Sequence, residues 1–269
     1  MSAHLSLPDY HTHTILCKHA SGTPRDYQVA AGHRGMRQLA ATDHCPTDDG
    51  FGIDHRMTLD DFPCYLDWVR AAAESVGPEL LLGIEADYYR GAQPFQEKLQ
   101  RAQAFDLVLG SVHFLDYWST DPQTRGLGRN PDPHFIWREY FQRVGEMADT
   151  GLYDIASHLD LPKKFGNAIP EADLREYALP ALDRLAAAGM AIEINTSGLL
   201  HPPQACYPSP AILAWAAERG IGLTFGSDSH QPERVGAGFE VALELARAAG
   251  FTHYREYRQR RFQRVPLPA

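Results

Sequence analysis

The chain has 269 residues, of which 44% are hydrophobic and 22% charged, the proportions of a globular protein with enough apolar matter for a large core and no bias toward disorder. Asp+Glu 34 against Lys+Arg 25 leaves a net charge of -9, which argues against general nucleic-acid binding through a basic surface. No apolar run approaches the ~20 residues that cross a bilayer, and the N-terminus lacks a charged segment followed by an apolar one, so a cytoplasmic protein without membrane or nucleic-acid partners is expected.

The first β-type run, Leu5–Tyr10, ends in His11-Thr12-His13. Residues two apart on a strand point to the same side, so both imidazoles can reach one ion. A loop bearing His19 follows, then a second run, Gln38–Thr42, that ends in Asp43-His44 and opens a long connection, Pro46–Thr58. Leu59–Val76 is amphipathic and predicted helical. The third run, Leu80–Ile84, is apolar throughout, as a strand covered on both faces should be, and ends in Glu85. After a helix over Pro94–Ala104, the fourth run, Leu107–Val112, ends in His113, and a second long connection spans Asp116–Pro133.

A helix over Phe135–Thr150 leads to the fifth run, Asp154–Ser157, with His158 and Asp160 at its end. The sixth run, Ala191–Ile194, follows a helix over Glu171–Ala188; it is the one read as offering no metal ligand, and it enters Asn195-Thr196-Ser197. A helix over Pro210–Arg219 precedes the seventh run, Gly222–Gly226, which ends in Asp228 and His230, and Phe239–Ala249 is the last predicted helix. The closing Arg-Gln-Arg-Arg-Phe-Gln-Arg is read as a solvated helix end followed by a short basic tail, about 255–269.

Regular alternation of strand and helix predicts parallel βαβ units. Because nearly every strand delivers a polar residue at its C-terminal end, a single-domain α/β barrel over 1–269, of the (β/α)7 TIM-like kind, is favoured over an open sheet: a barrel gathers those ends on one rim. Both long connections lie on that rim as candidate lids.

The four cysteines, Cys17, Cys45, Cys64 and Cys206, form no CxxC pair and read as reduced thiols. The 13 histidines carry the information. Seven of them, His11, His13, His19, His44, His113, His158 and His230, gather with Glu85 and Asp228 at the rim, while His4, His33, His55, His134, His201 and His253 take structural readings, with His55, His134 and His201 as possible substrate contacts. Nitrogen and carboxylate donors without cysteine suit zinc, manganese or iron, and their number exceeds what one ion uses, so two to three divalent ions are expected. Such a cluster activates water and neutralises phosphoryl oxygens, which is phosphate-ester chemistry.

Taken together, His-Thr-His, Thr-Asp-His, Gly-Ile-Glu-Ala-Asp, Gly-Ser-Val-His, Ser-His-Leu-Asp and Gly-Ser-Asp-Ser-His, in this order, resemble the polymerase and histidinol phosphatase (PHP) family, histidinol-phosphate phosphatase type, from roughly Leu7 to Ala249. The resemblance implies a distorted (β/α)7 barrel with a trinuclear centre. It implies one ion on His11, His13, Glu85 and Asp228, a second on Glu85, His113 and His158 with Glu85 bridging, and a third on His19, His44 and His230. It also implies hydrolysis of L-histidinol phosphate to L-histidinol and phosphate, by a monomer or homodimer, with Asp160 or His230 protonating the leaving oxygen.

Phosphate needs donors beyond the ions, for which Lys163, Lys164, Asn195 and Ser197 are candidates. Asp43 is either a substrate contact or, like Asp160, a partner that orients a ligand histidine. The chain has Gly198-Leu199-Leu200-His201 where the family usually reads Gly-Leu-Arg and another basic residue, and Arg234 or Arg56 is the candidate replacement. Alternatives are another small phosphate ester, an amidohydrolase-type C–N hydrolase, whose usual lysine after the fourth strand is here His113, and a non-catalytic metal-binding module.

Overall fold

Thr23 starts the first regular element: the Asp26 carboxylate accepts its N–H and its hydroxyl, both at 2.7 Å, and Pro24 takes the first helical position. In the computed structural model, which describes residues 6–115, 118–119 and 132–269, this opens a regular alternation. In chain order it runs α1 (Pro24–His33), β1 (Gln38–Ala41), α2 (Phe62–Ala73), β2 (Glu79–Asp87), α3 (Gln93–Ala102), β3 (Leu107–Ser111), β4 (Phe114–Leu115) and β5 (Trp118–Ser119). It continues α4 (Pro133–Asp149), β6 (Ile155–Ala156), α5 (Glu171–Ala187), β7 (Ala191–Asn195), α6 (Pro210–Glu218), β8 (Gly222–Gly226), α7 (Phe239–Ala248), β9 (His253–Arg258) and β10 (Arg261–Pro266). The predicted strands and helices recur within a few residues of their expected bounds, whereas α1 and the two pairs β4–β5 and β9–β10 were not anticipated. The connection expected over 116–133 lies outside the described residues except for β5 and its last two residues.

β1, β2, β3, β6, β7 and β8 form one parallel sheet in that order. The expected first strand is not a regular sixth neighbour but an extended segment that joins the sheet's two edges. Asp9 bridges Leu39 and Thr12 bridges Ser229, both parallel; Ala40 N–H donates to Asp9 O at 2.8 Å and Tyr10 N–H to Phe225 O at 3.0 Å. Side chains occupy ladder positions here, which is why the pairing stays irregular: the Thr12 hydroxyl donates to Ala40 O, and Thr12 N–H donates to the Thr42 hydroxyl.

The strands' alternation divides the core in two. Leu39, Ile84, Val108, Ile192, Ile194, Leu223 and Phe225 face the helices in the larger cluster. Tyr10, Ala40, Leu81, Leu107, Leu109, Ile155 and Ala191 form a second cluster with Tyr257. Farther along β2, β3 and β7, the residues in step with this second set are Glu85 and Asp87, Ser111, and Glu193 and Asn195, all buried. The barrel is thus apolar toward the strand starts and polar toward the strand ends.

The segment read as a helix end and basic tail is instead the antiparallel hairpin β9–β10. Tyr254 and Tyr257 are buried, and the turn residues Gln259 and Arg260 have φ 50° and 61°, as a two-residue hairpin turn requires. Three of its arginines are engaged locally, Arg258 with Glu79, Arg260 with Asp154 and Arg255 3.8 Å over the Phe262 ring, while Arg261 and Arg264 are exposed.

Candidate metal centre

Every predicted ligand converges on one end of the barrel. His11 Nε2 lies 3.4 Å from Glu85 Oε1 and 3.6 Å from Asp228 Oδ1, and His13 Nε2 lies 3.1 Å from Asp228 Oδ1 and 3.6 Å from Glu85 Oε2. On the other side of Glu85, Oε1 is 3.1 Å from His158 Nε2 and 3.6 Å from His113 Nε2, and those two nitrogens face each other at 3.1 Å. His230 stacks on His13 with ring centroids 4.3 Å apart; His19 lies 4.7 Å from His230 and 5.4 Å from His44. His44 Nδ1 approaches Glu85 Oε2 at 2.7 Å.

The imidazoles are aimed. Nδ1–H of His19 donates to Cys17 O at 2.7 Å and that of His230 to Asp228 O at 3.0 Å; Nδ1 of His11 meets Glu193 at 3.0 Å and Nδ1 of His113 meets Asp87 at 2.5 Å. Each of these four therefore presents Nε2 to the centre, the arrangement a metal-bound histidine needs. His11 Nε2, both ring nitrogens of His13, His158 Nδ1 and Glu85 Oε2 are buried with no hydrogen-bond partner. Leaving buried polar atoms unsatisfied costs about 1–3 kcal/mol each, and a divalent cation at the centre would remove that cost for the atoms that face it, His11 Nε2, His13 Nε2 and Glu85 Oε2. The sets His11-His13-Asp228, His11-Glu85-His158 and His13-His44-His230 each bring ligand atoms within 4.8 Å of one another. The residues fit several first-row ions.

Electrostatics agree. Burial alone would raise the Glu85 carboxyl, but His44, His11 and His113 hold it well below its ordinary range; His11, His13 and His230 do the same for Asp228. Burial opposes the charged form of His13, yet Asp228, Asp43 and Glu85 prevail and push it up to about 9. At His44 and His230 burial wins, lowering them to about 4 and about 3, so both offer neutral lone pairs.

Among the predicted substrate contacts, Lys164, Ser197 and Arg234 line a cavity of about 690 Å³ that opens over the centre, together with His55, His201, Phe114, Leu161, Phe165 and Leu200. Arg234 is exposed, and its side chain forms no hydrogen bond or ion pair with a described residue. Arg56 also touches the cavity, but its donors are committed to Asp87, Cys45 O and Gly52 O. Lys163 is turned away, bonded to Asp160 and to Cys206 O at 2.7 Å and lying over the Tyr207 ring. Asn195 lies beneath the centre: its side chain accepts from Ser197 and donates to Glu193 at 2.9 Å. Asp43 is fully buried, accepts Thr14 N–H and His44 N–H, and lies 3.7 Å from His13 Nδ1. Asp160 is buried behind the cavity wall, bonded to Lys163 and Ser209 N–H. His134 lies away from the cavity on α4, beside Tyr177.

Sequence reasoning missed Asp87 and Glu193. Their face was readable, since each sits two residues from a recognised position, Glu85 or Asn195, and so shares its face of the strand; their partners were not.

A PHP domain model matches residues 9–197. A Deinococcus radiodurans protein named probable histidinol-phosphatase is 40% identical over 247 residues, covering 91% of this chain and 94% of that one. The Bacillus subtilis histidinol-phosphatase is 26% identical over 270 residues, covering 88% and 98%. In fold, the chain resembles the Lactococcus lactis histidinol phosphate phosphatase solved with zinc, L-histidinol and phosphate, with a TM-score of 0.81 at 22% identity, over 96% of this chain and 99% of that one. With the centre's geometry, the family model and the Deinococcus relative in agreement, the chain belongs to the PHP domain family.

Proposed function

We propose that this chain is a metal-dependent phosphomonoesterase that hydrolyses L-histidinol phosphate to L-histidinol and phosphate. One observation carries the reading: seven histidines and two carboxylates, aimed and in part unpartnered, meet under an open cavity in a chain 40% identical to a probable histidinol-phosphatase. Two to three zinc, manganese or iron ions are assigned to His11, His13, Glu85 and Asp228, to Glu85, His113 and His158, and to His19, His44 and His230. Bound there, such ions activate water and neutralise phosphoryl oxygens.

The chain's own groups do the rest. Glu85 approaches a histidine of each set and would be shared between the first two. Arg234 and Lys164, on the cavity wall, supply fixed cations for the phosphate, with the Ser197 hydroxyl beside Asp228. Arg234 takes the place of a clamp that Leu200 cannot provide. Of the two candidates for protonating the leaving oxygen, only His230 lines the cavity. Because Asp228 O holds its Nδ1–H, a single Nε2 serves either an ion or a proton, and the reading gives it to the third ion. No helix among the described residues is long and apolar enough to cross a membrane, and the reading places the enzyme in the cytoplasm as a monomer or homodimer, acting on a small phosphorylated substrate without nucleic acid.

The test is a substrate panel with manganese- or zinc-loaded enzyme. Histidinol phosphate should be turned over well above an aryl phosphate, and Glu85→Ala should abolish both activities. Equal turnover of the two esters would remove the substrate assignment and leave the phosphatase one.

A further inference from the structure

β7 contributes no ligand, yet it carries a carboxylate that meets two of the predicted ligand histidines. Glu193 is fully buried. Its Oε1 and Oε2 lie 3.0 and 3.1 Å from His11 Nδ1, Oε1 accepts the backbone N–H of His158 at 2.8 Å, and Asn195 Nδ2 donates to the same oxygen at 2.9 Å. Asn195 Nδ2 also reaches Asp228 Oδ2 at 3.3 Å. One carboxylate thereby touches His11 and His158 directly and Asp228 through one intermediary.

The neighbouring strand is kept bare to admit this pair. A Cβ on Gly226 of β8 would come within 2.3 Å of Glu193 Oε2 and 2.7 Å of His11 Cβ. His158 itself has φ 20°, a backbone that L-residues rarely adopt, and the bond from its N–H to Glu193 helps hold it there.

We infer that Glu193 is a positioning residue that sets the first and second ion sites together. This rests on the metal reading above. Accepting Nδ1–H fixes His11 in the tautomer that presents Nε2, and an anionic acceptor makes that nitrogen a stronger donor to a divalent cation. Anchoring the His158 backbone places the second site relative to the first. The His19, His44 and His230 set has no contact with Glu193 among its described bonds, so it stands outside this control.

Glu193→Gln preserves size but removes the charge, and where Oε2 lies 3.1 Å from His11 Nδ1 it puts an amide nitrogen that can only donate. The experiment is a competitive zinc titration of metal-stripped wild type, Glu193→Gln and Glu85→Gln against a chromophoric chelator, with bound zinc counted after gel filtration and thermal unfolding recorded for each. The expected result for Glu193→Gln is affinity weakened about 10- to 100-fold at two sites, with the remaining site unchanged and the metal-free protein still folded. Unchanged affinity at every site, uniform weakening at all of them, or a Glu193→Gln protein that does not fold would each overturn the proposal. Failure of the metal reading itself is distinguishable: then neither wild type nor Glu85→Gln shows tight zinc.

Discussion

The backbone N–H of Tyr257 donates to the Tyr10 hydroxyl at 3.0 Å, and the two rings meet edge to face with centroids 6.2 Å apart. Tyr10 is the residue before His11, so the last hairpin closes the barrel beneath the first ligand strand. Replacing Tyr257 with Ala opens this floor and is expected to cost about 3–5 kcal/mol, as for other buried aromatics, whereas Tyr257→Phe, which gives up a 3.3 Å bond to Asp154 O and a 3.4 Å bond from Arg255, should cost about 1 kcal/mol. Urea unfolding of the two variants measures both.

Arg56 and Asp87 form a buried ion pair, each only 2–3% exposed, and Asp87 also receives His113 Nδ1. Removing one partner strands the other, so Arg56→Met should destabilise the protein by about 3–5 kcal/mol. Asp87→Asn should, in addition, weaken ion binding at the His113 site. Comparing unfolding with zinc affinity separates the two effects, because Arg56 does not touch an imidazole.

His230→Asn tests how its one available nitrogen is used. If it serves an ion, the loss of kcat should be the same for histidinol phosphate and for p-nitrophenyl phosphate. A much larger loss with histidinol phosphate, whose alkoxide needs a proton to depart, would reassign His230 as the acid.

Arg234→Ala removes a charge-assisted contact worth about 1.5–3 kcal/mol, roughly 10- to 150-fold in kcat/KM for phosphate esters. The metal count should not change. Inhibition by inorganic phosphate should weaken in parallel, and unaltered kinetics would return the clamp to Lys164.

Burial pushes the thiols of Cys17 and Cys45 up to about 12 and that of Cys206 up to about 11, with neighbouring Asp43 adding to the effect at Cys17. All three are almost fully protonated at pH 8, and the thiolate is the reactive form. Iodoacetamide treatment followed by mass spectrometry should therefore label Cys64, the half-buried one, and spare the others until the protein unfolds.

The converging side chains were legible because all but His19, which sits on a loop, stand at strand ends, where the period of two tells which side chains agree. Glu193 was not, because its meaning depends on His11, 182 positions away, and a carboxylate in an apolar run carries no mark of its partner. The β9–β10 hairpin was hidden by its own arginines: their number suggested solvent, and only the fold supplies Glu79, Asp154 and Phe262 to receive three of them. α1 escaped because just Pro24, Tyr27, Gln28 and Ala31 are buried, too sparse a stripe to register, although Thr23 and Asp26 announced its start.

The seam between residues 9–13 and β8 has a bearing on biosynthesis. His11 and His13 leave the ribosome long before Phe225 and Ser229, where Tyr10 and His13 have their bonding partners. A nascent chain released before Gly222 would keep a naked His-Thr-His and lack Asp228 and His230 altogether. Ion capture by the whole centre would thereby be deferred until Asp228 and His230 have been made, and acquired metal would mark a chain translated at least that far.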